Sequence, residues 1–447
     1  NFFIFRFFNL NSSKFKKNIM KRKNIFTCLF IILLAGVVNA QDSFTATEFI
    51  QGTYMGTTVP LRDFPTTEYD ATSPKTMTIV ENKSRINEKV NQNALPYNDI
   101  NTNAQDKVGG IFSYALEQNF VGFDNTGFTP PDPSGAAGPD HYVHAVNSSI
   151  KIFDKTGNLL VGPTSLGAFL GIGSNSGDPI VLYDQLADRY FVSEFGSVSN
   201  GLAIGVSVTN DPTGEYHVYQ YSFDAFPDYP HYSIWPDAYY LTANKGGANK
   251  VYAIERDVIL AGDPDPQIIG FPLPGNSSNP NTVLSPEPAN LTGVDYPDDL
   301  PGYIVYLQDD GWSGITYDHL KIWEIDVDFD NPTSSTISSP LEIPTDPFNA
   351  YFAPFGSGDV AQPGTGQKID MITGVISYAA NYRSFGTHNS WVITFNDNVD
   401  GTNGGIRWIE LRNDATNPWE VFQEGTYAPA DDNSRFMGSA AMDAAGN

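Results

Sequence analysis

The sequence has almost no cysteine, since Cys28 is the only one among 447 residues. Disulfides therefore cannot hold the fold together, and a large packed core must do so, for which a hydrophobic content of 40% is sufficient. Zinc sites built on Cys are excluded by the same count. His141 and His144 are spaced so that a strand places their rings on opposite faces. We therefore expect these two histidines to be ordinary surface residues.

Positive charge is also scarce. The chain has 25 Lys and Arg against 51 Asp and Glu, with a formal net charge of −26, and the first 40 residues contain seven of the basic side chains and no acid. So acidic a surface repels nucleic acid and anionic lipid, because both bind through clustered Lys and Arg. Divalent cations, neutral or cationic partners, or a plain solvated acidic coat are compatible with this composition.

Familiar catalytic motifs are missing. No glycine-rich phosphate loop connects a strand to a helix, and no Gly-x-Ser-x-Gly sequence is present. The Ser-x-Asp-x-Gly-x-Thr-Trp box that is typical of sialidase blades is also missing. Nucleotide and esterase chemistry are therefore unsupported, and no bound organic cofactor is expected.

The longest apolar run lies near the N-terminus, at residues 25–38, after Met20 and three basic residues and just before Ala40. This pattern predicts a signal peptide over residues 20–40 with cleavage after Ala40. A membrane anchor is the alternative, but the run is shorter than the roughly 20 apolar residues that a bilayer requires. We expect a mature chain that is secreted or held at the cell surface, and that loses Cys28 with the signal peptide.

The two ends and the linker region have distinct compositions. Residues 1–19 lack Met and consist mainly of Asn, Phe, Ile, Lys and Ser, which indicates an untranslated leader carried into the translation. Residues 41–106 are interpreted as a polar, partly disordered leader or linker, because apolar periodicity is weak and Asn is frequent. The folded domain is expected over residues 107–447. Residues 441–447 look like the first half of a hairpin, so we expect the domain to be incomplete at its C-terminus.

From Phe128 onward, short β-branched or alternating segments alternate with Gly, Pro, Asn and Asp clusters, which is typical of an all-β domain. The segments form groups of four, such as 179–221 and 232–271. A four-strand unit that recurs about every fifty residues predicts a multi-bladed β-propeller, with about six or seven four-stranded blades. A pair of two-sheet sandwiches is the alternative.

One segment shows the expected alternation clearly. In the stretch 321–329, Trp323 and Ile325 fall on one face, whereas Glu324 and Asp326 fall on the other. This pattern predicts a half-buried strand with an acidic outer face.

Residues 128–142 read FTPPDPSGAAGPDHY and resemble the opening of a group of secreted bacterial propeller-like proteins. Motifs similar to that group recur at 178–184 (DPIVLYD), 235–239 (WPDAY), 405–411 (GIRWIEL) and 435–438 (RFMG). The resemblance covers roughly residues 107–447 and implies a β-propeller. In Bacteroidota such proteins often end in a type IX secretion sorting domain, which the resemblance would place beyond Asn447. The group has no established catalytic residues, so the resemblance implies none.

Oxygen-rich loops are the candidates for a metal. Asp309 and Asp310 lead into one such loop, and Asp431 and Asp432 into another, so a structural calcium ion is possible. The sequence at 326–331 begins like a calcium loop, but Gly is missing at the sixth position and Glu at the twelfth. The alternation of a strand explains that segment equally well.

Arg383, His388, Arg407 and Arg435 are the candidates for catalytic residues, because several Arg can hold a sugar carboxylate bidentately, as in a sialidase. Structural ion pairs are the alternative role for the arginines. A glycosidase would instead need two carboxylates at the mouth of a central cleft.

Two functions from different classes follow. The first is a binding module that presents a propeller face to a glycan or a protein. The second is a carbohydrate-active enzyme, a glycoside hydrolase or lyase or a sialidase-like protein, with its site in the central channel. The missing catalytic motifs favour the binding module. Nucleic-acid partners and membrane insertion of the mature chain are not expected.

Overall fold

The computed structural model describes most of the chain after the first 41 residues. The chain divides into two units, Asn1–Asp42 and Ser43–Asn447, and the fold below is that of the second unit. The untranslated leader and signal peptide predicted at 1–40 lie outside the described residues, as does most of the predicted linker after Glu68. The described residues are 42–68, 118–124, 126–173, 176–247, 249–275, 286–350 and 358–447, with the backbone of 75–76 and 104–105.

Strands dominate the second unit, as the predicted all-β class requires. They are β1 (Ser43–Thr45), β2 (Glu48–Gln51), β3 (Thr53–Thr57), β4 (Lys75–Thr76), β5 (Ala104–Gln105), β6 (Phe128–Thr129), β7 (Ser134–Ala137), β8 (His141–Val146), β9 (Ser149–Asp154), β10 (Leu159–Ser165), β11 (Ile180–Asp184), β12 (Arg189–Phe195), β13 (Gly201–Ser207), β14 (Tyr216–Ser222), β15 (Asp228–Ile234), β16 (Tyr239–Asn244), β17 (Asn249–Ile254), β18 (Gln267–Pro272), β19 (Glu287–Leu291), β20 (Gly302–Gln308), β21 (His319–Asp326), β22 (Thr336–Ser338), β23 (Leu341–Pro344), β24 (Val360–Ala361), β25 (Lys368–Ile369), β26 (Ile376–Ser384), β27 (Asn389–Asn398), β28 (Gly404–Asn413) and β29 (Glu420–Tyr427).

Helices are few and short. The described helices are α1 (Leu166–Phe169) and α2 (Arg256–Ala261), together with 3₁₀ turns at Leu61–Asp63 and Pro332–Ser334. None of them has the length and the apolar composition that crossing a bilayer would take.

Twenty of these strands form five successive four-stranded antiparallel units in up-and-down order, of which the last two belong to one larger sheet. Blade 1 is β7–β10, blade 2 is β11–β14, blade 3 is β15–β18, blade 4 is β19–β22 and blade 5 is β26–β29. The first strands of successive blades contact one another in chain order. Those of blades 4 and 5 even pair in parallel, with Ala289 opposite Ala380. Sheets that meet along their first strands are the blades of a β-propeller.

The described residues contain five blades rather than the six or seven that the sequence predicts. Residues 441–447, which were expected to begin a further hairpin, form no strand. β23 adds to blade 4 by pairing with β21. Residues 443–447 form a turn in which the Asp443 carboxylate accepts the N–H groups of Ala445 and Asn447 at 2.8 and 3.0 Å.

The N-terminal segment 43–57, called here the N-terminal strap, supplies the outermost strand of three blades. β3 pairs with β14, β2 with β18 and β1 with β22. The prediction that residues 41–106 are a loosely packed leader is therefore wrong for the strap. The physical reason is that these strands bury alternate residues only partly, so that the segment has little apolar signal in the sequence.

Large aromatic side chains fill the spaces between blades. Trp235, Trp323 and Trp391 are fully buried. Their indole N–H groups are satisfied, since Trp235 donates to the Pro301 carbonyl and Trp391 to the Ala380 carbonyl, both at 3.1 Å. One hydrophobic cluster extends over blades 3 to 5, and a second joins blades 2 and 3. The core thus lies between the sheets. It provides the packing that a chain without disulfides requires.

The strand β21 confirms the alternation predicted for 321–329 over residues 323–326, whereas Lys321 and Ile322 are both buried and residues 327–329, beyond the strand, are all half-buried. Trp323 and Ile325 are fully buried, whereas Glu324 and Asp326 are exposed. The sequence pattern was sufficient here because one face of the strand packs on the core and the other faces water.

Deletion of the strap is expected to lower the melting temperature by at least about 5 °C and to promote aggregation, because β14, β18 and β22 become unpaired edge strands. Calorimetry and light scattering would measure both effects. The matched control is the double variant Phe49→Thr, Met55→Thr, which changes exposed strap side chains and keeps the backbone pairing. Equal melting temperatures for the deletion and the control would show that the strap contributes nothing to stability.

Candidate functional site

The first strands of several blades begin with the same local turn. Asp132, Asp178 and Tyr229 each precede a proline and have positive φ angles of 40°, 51° and 53°. Left-handed backbone is uncommon for residues other than glycine, so its recurrence at equivalent places marks a shared structural feature. Glu287 also precedes a proline and begins β19. These turns place acidic residues at the channel mouth, which we define as the end of the central channel where the first strands begin.

Asp132 of blade 1 and Asp178 of blade 2 are in hydrogen-bonding contact through their carboxyl groups. Burial raises the pKa of Asp178 to about 7, and the negative charge of Asp132 adds to that rise. Burial also raises the pKa of Asp132, while hydrogen bonds from Asn147 and Asp178 oppose the rise. The two groups therefore share a proton near neutral pH, with Asp178 as its donor and Asp132 as its acceptor.

Blades 3 and 4 contribute a buried pair to the same place. His231 Nδ1 lies 2.5 Å from Glu287 Oε2, with side-chain exposures of 7% and 0%. Burial raises the pKa of the Glu287 carboxyl, and the charge of His231 opposes this. Within the described residues, Glu287 Oε1 has no hydrogen-bond partner. His231 also acts on Asp178, where its charge lowers the pKa.

Asp228, the first residue of β15, completes the group. Burial raises its pKa to about 6, and its charge contributes to the raised pKa of Asp178. Aromatic rings flank His231, since the ring of Tyr229 lies 4.4 Å away and that of Tyr378 from blade 5 lies 5.1 Å away. We call Asp132, Asp178, Asp228, His231 and Glu287 the channel cluster.

The channel cluster combines acidic groups with different proton affinities in one place. Asp178 and Asp228 titrate between about pH 6 and 7, whereas Asp132 accepts hydrogen bonds as a carboxylate. Carboxyl groups whose environments separate their pKa values can act as proton donor and proton acceptor in the same reaction. The arrangement is therefore suited to acid–base chemistry on a substrate that enters the channel mouth.

The sequence-based candidates Arg407 and Arg435 form ion pairs instead. Arg407 is fully buried in β28, pairs with Glu424 and donates to the Asp346 carbonyl at 3.2 Å. Arg435 pairs with Asp431 at 2.6 Å on the surface. Both arginines thus have the structural role that the sequence offered as the alternative.

Arg383 and His388 lie on blade 5 with partners of their own. Arg383, in β26, donates to the Met442 carbonyl at 3.3 Å. His388 lies in the turn after β26 and stacks on Phe385 with ring centroids 5.0 Å apart. The structure gives the four sequence-based candidates separate surroundings and does not bring them together at one substrate position.

The metal candidates Asp309 and Asp310 do join a third carboxylate. Together with Asp318 they form a buried group, the Asp309 cluster, whose ligand atoms lie within 4.8 Å of one another. Burial raises the pKa of Asp309 well above its usual range and that of Asp318 to about 7. Backbone N–H groups donate to both carboxylates at 2.6–2.7 Å. Three buried carboxyl groups in contact need protons or a cation to offset their charge.

The other metal candidates do not form such a group. Asp431 is occupied by Arg435, and Asp432 is exposed in the same turn with a φ of 58°. Asp328 accepts the Asn331 N–H at 2.8 Å and the Ser334 hydroxyl at 2.9 Å, so the segment 326–331 makes a local turn. These carboxylates therefore stabilise local turns or form an ion pair with Arg435.

The predicted surface histidines lie on β8, and neither belongs to a group of potential metal ligands among the described residues. Both are partly exposed, and the His144 ring packs 5.2 Å from that of Phe123.

The residues of the channel cluster were missed as a group when the sequence was read. The signal that could have found them is a residue followed by Pro at the start of four blades, at 132, 178, 229 and 287. Two of these steps lie inside the motifs that carry the family resemblance. Periodicity cannot show that they converge, because convergence depends on how the blades pack around the channel.

No family model matches the chain, and no curated protein matches it. Several solved structures are similar at a low level, among them the following three. A thermostable family-43 glycoside hydrolase has 13% identity and a TM-score of 0.34, over 69% of this chain and 96% of that chain. A GH43 β-1,3-galactosidase with galactodeoxynojirimycin has 8% identity and a TM-score of 0.32, over 65% and 93%. The GH43_1 enzyme from Xanthomonas citri complexed with xylose has 14% identity and a TM-score of 0.31, over 68% and 93%. These values are too low to assign the chain to a family or an activity.

Proposed function

We propose that this protein is a carbohydrate-active enzyme, a glycoside hydrolase whose site is the channel cluster. The observation that supports the proposal is the convergence of four acidic side chains from four blades, of which two titrate at about pH 6 to 7. Glycoside hydrolysis needs one carboxyl group that donates a proton and another that accepts one. The four carboxyl groups offer both states at once.

Asp132 and Asp228 fit the two reacting roles. Asp132 is half-buried and kept as an acceptor by Asn147 Nδ2 at 2.5 Å, so it can take a proton from the attacking water. Asp228 is also half-buried and carries a proton below about pH 6, which it can give to the oxygen of the leaving sugar. The water oxygen then bonds to the anomeric carbon as the glycosidic bond breaks.

Asp178 and Glu287 fit supporting roles. Asp178 contacts Asp132 directly, whereas the acid and the base of a direct displacement by water lie about 6.5–9.5 Å apart. We assign Asp178 to tuning the proton affinity of Asp132. Glu287 is sealed from solvent and fixes the orientation of His231.

The binding module favoured by the sequence is the second candidate, supported by an aromatic surface beside the same site. Phe226 lies two residues before Asp228, is 37% exposed, and its ring packs 4.6 Å from that of Phe195. Exposed aromatic rings are surfaces on which sugars stack. Either function places a glycan at the channel mouth. Both functions are compatible with the acidic composition and with export through the predicted signal peptide.

We also propose that a calcium ion neutralises the Asp309 cluster. Oxygen ligands are those that calcium prefers, and three carboxylates would supply them. The ion would stabilise the loop between β20 and β21 and has no part in the hydrolytic step. Protons on Asp309 and Asp318 are the competing way to offset the same charge.

Substitution of either reacting carboxylate tests the hydrolase. Asp132→Asn and Asp228→Asn are each expected to lower the rate of glycan cleavage at least about 100-fold, because each removes one proton-transfer step. Product release from a panel of polysaccharides, read by mass spectrometry, measures the rate. Asp140→Asn, an exposed change in blade 1, is the matched control. Full activity in both variants would refute the assignment, whereas wild-type retention of a glycan without cleavage would favour the binding module.

The pH dependence follows from the same roles. Because Asp228 must be protonated to act as the acid, kcat/KM is expected to fall as the pH rises through about 6. At lower pH the rate falls as Asp132 becomes protonated. Rate measurements from pH 4 to 9 on a cleaved glycan would show this bell. An activity that keeps rising above pH 8 would contradict Asp228 as the acid.

Calcium is tested by thermal melting. Millimolar calcium is expected to raise the melting temperature by about 3 °C or more relative to EDTA, since an ion bound only to the folded state stabilises it. Asp318→Asn should remove this difference, whereas Asp431→Asn, in the exposed turn, should keep it. An unchanged melting temperature in EDTA would mean that protons, and not calcium, offset the charge of the Asp309 cluster.

A further inference from the structure

Asn147 joins blade 1 to blade 2 beneath the channel mouth. It lies in the turn between β8 and β9 and is fully buried. Its side-chain Nδ2 donates to Asp132 Oδ2 at 2.5 Å and to the Pro130 carbonyl at 2.9 Å. Its Oδ1 accepts the backbone N–H of Asp178 at 3.0 Å. One amide group thus contacts both members of the proton-sharing pair.

The backbone of Asn147 ties the same loop from the other side. Its N–H donates to the Pro131 carbonyl at 2.8 Å, and its carbonyl accepts the Thr126 hydroxyl at 2.8 Å. Side chain and main chain together fix the segment that ends in Asp132. The left-handed backbone of Asp132 and Asp178 is therefore held by contacts that meet at one residue.

The chemistry of the contacts requires an amide. A hydrogen bond from Nδ2 is stronger to an ionised carboxylate than to a neutral carboxyl group, so its bond to Asp132 favours the carboxylate form. Oδ1 accepts from the Asp178 backbone, which fixes where the Asp178 carboxyl stands. An aspartate at 147 would keep the acceptor, lose the donor and add a repelling charge. An alanine would lose both.

We propose that Asn147 is a positioning residue that keeps Asp132 as the proton acceptor of the site and holds Asp178 against it, without touching the substrate. This inference rests on the proposed hydrolase, in which Asp132 accepts a proton from water. It adds a residue, outside the channel cluster, on which the working state of that cluster depends.

Other charged groups also face Asp178 and stay in place in the test. Asp228 and His231 act on it from blade 3, and Asp132 from blade 1. From β12, Glu194 accepts the N–H groups of Ser176 and Gly177 at 2.8 and 3.0 Å, directly before Asp178. Among these neighbours, Asn147 is the one whose side chain contacts both Asp132 and Asp178.

The experiment is an infrared titration of carboxyl groups in the full chain, combined with rate measurements. In the wild type, the titrating carboxyl band of Asp132 is identified by its loss in Asp132→Asn. In Asn147→Ala that titration is expected to move up by at least about half a unit, since the carboxylate loses a charge-assisted hydrogen bond. The rising limb of the rate profile should move with it, and kcat should fall about 10-fold or more with little change in KM.

Asn210→Ala is the matched control, because Asn210 is an exposed asparagine that also donates to a carboxylate, Asp188, at 3.0 Å. It should leave the titration and the rate unchanged. Asn147→Asp is a second variant of nearly the same shape and should move the titration in the same direction. If both Asn147 variants fail to fold, or fold with an unmoved titration, the positioning role is overturned.

The two proposals fail in different ways. If the titration moves in the Asn147 variants but the wild type cleaves no glycan, the hydrolase is refuted and Asn147 remains the residue that positions the pair. If the wild type cleaves a glycan but the titration is the same in the wild type and in the Asn147 variants, the hydrolase stands and the positioning role is refuted.

Discussion

The structure depends on one packing constraint: each four-stranded sheet must bury its faces against its neighbours, because no disulfide takes over any part of that task. Buried tryptophans fill the spaces between the sheets, and their indole groups bond to backbone carbonyls of nearby segments. Sheets packed in this way bring their first strands together. Whatever residues begin those strands become neighbours, although they are far apart in the sequence.

The acidic composition of the chain becomes chemically important at that meeting point. Asp132, Asp178, Asp228 and Glu287 come from four blades, and burial raises the pKa of each of them. The charges of Asp132 and Asp228 raise the pKa of Asp178 further. Asn147 and His231 offset the cost by donating to, or carrying charge beside, these groups. The Asp309 cluster presents the same problem at a second place, on blade 4, with backbone N–H groups as the available donors.

Local features of the fold could be predicted from the sequence, and features that depend on distant contacts could not. The all-β class and the alternation of β21 follow from the period of two in their own residues. The strap was missed because its strands are stabilised by partners about 160 to 295 positions away. Arg407 was a candidate for catalysis because the sequence around it does not indicate its buried ion pair with Glu424. The channel cluster was missed for the same reason, as four blades must pack before its members meet.

The strap has a consequence for the order in which the chain can fold. Ser43 pairs with Ser338, and Thr53 with Gln220, so the strap finds its partners only after blades 2 to 4 exist. Pairings across so many residues close large loops and form slowly. Until then three blades keep open edges, to which the strand of another molecule can add. The strap precedes blades 2 to 4 in the chain but pairs with them only after they have formed. Its pairing covers the edge strands through which the protein is most exposed to self-association.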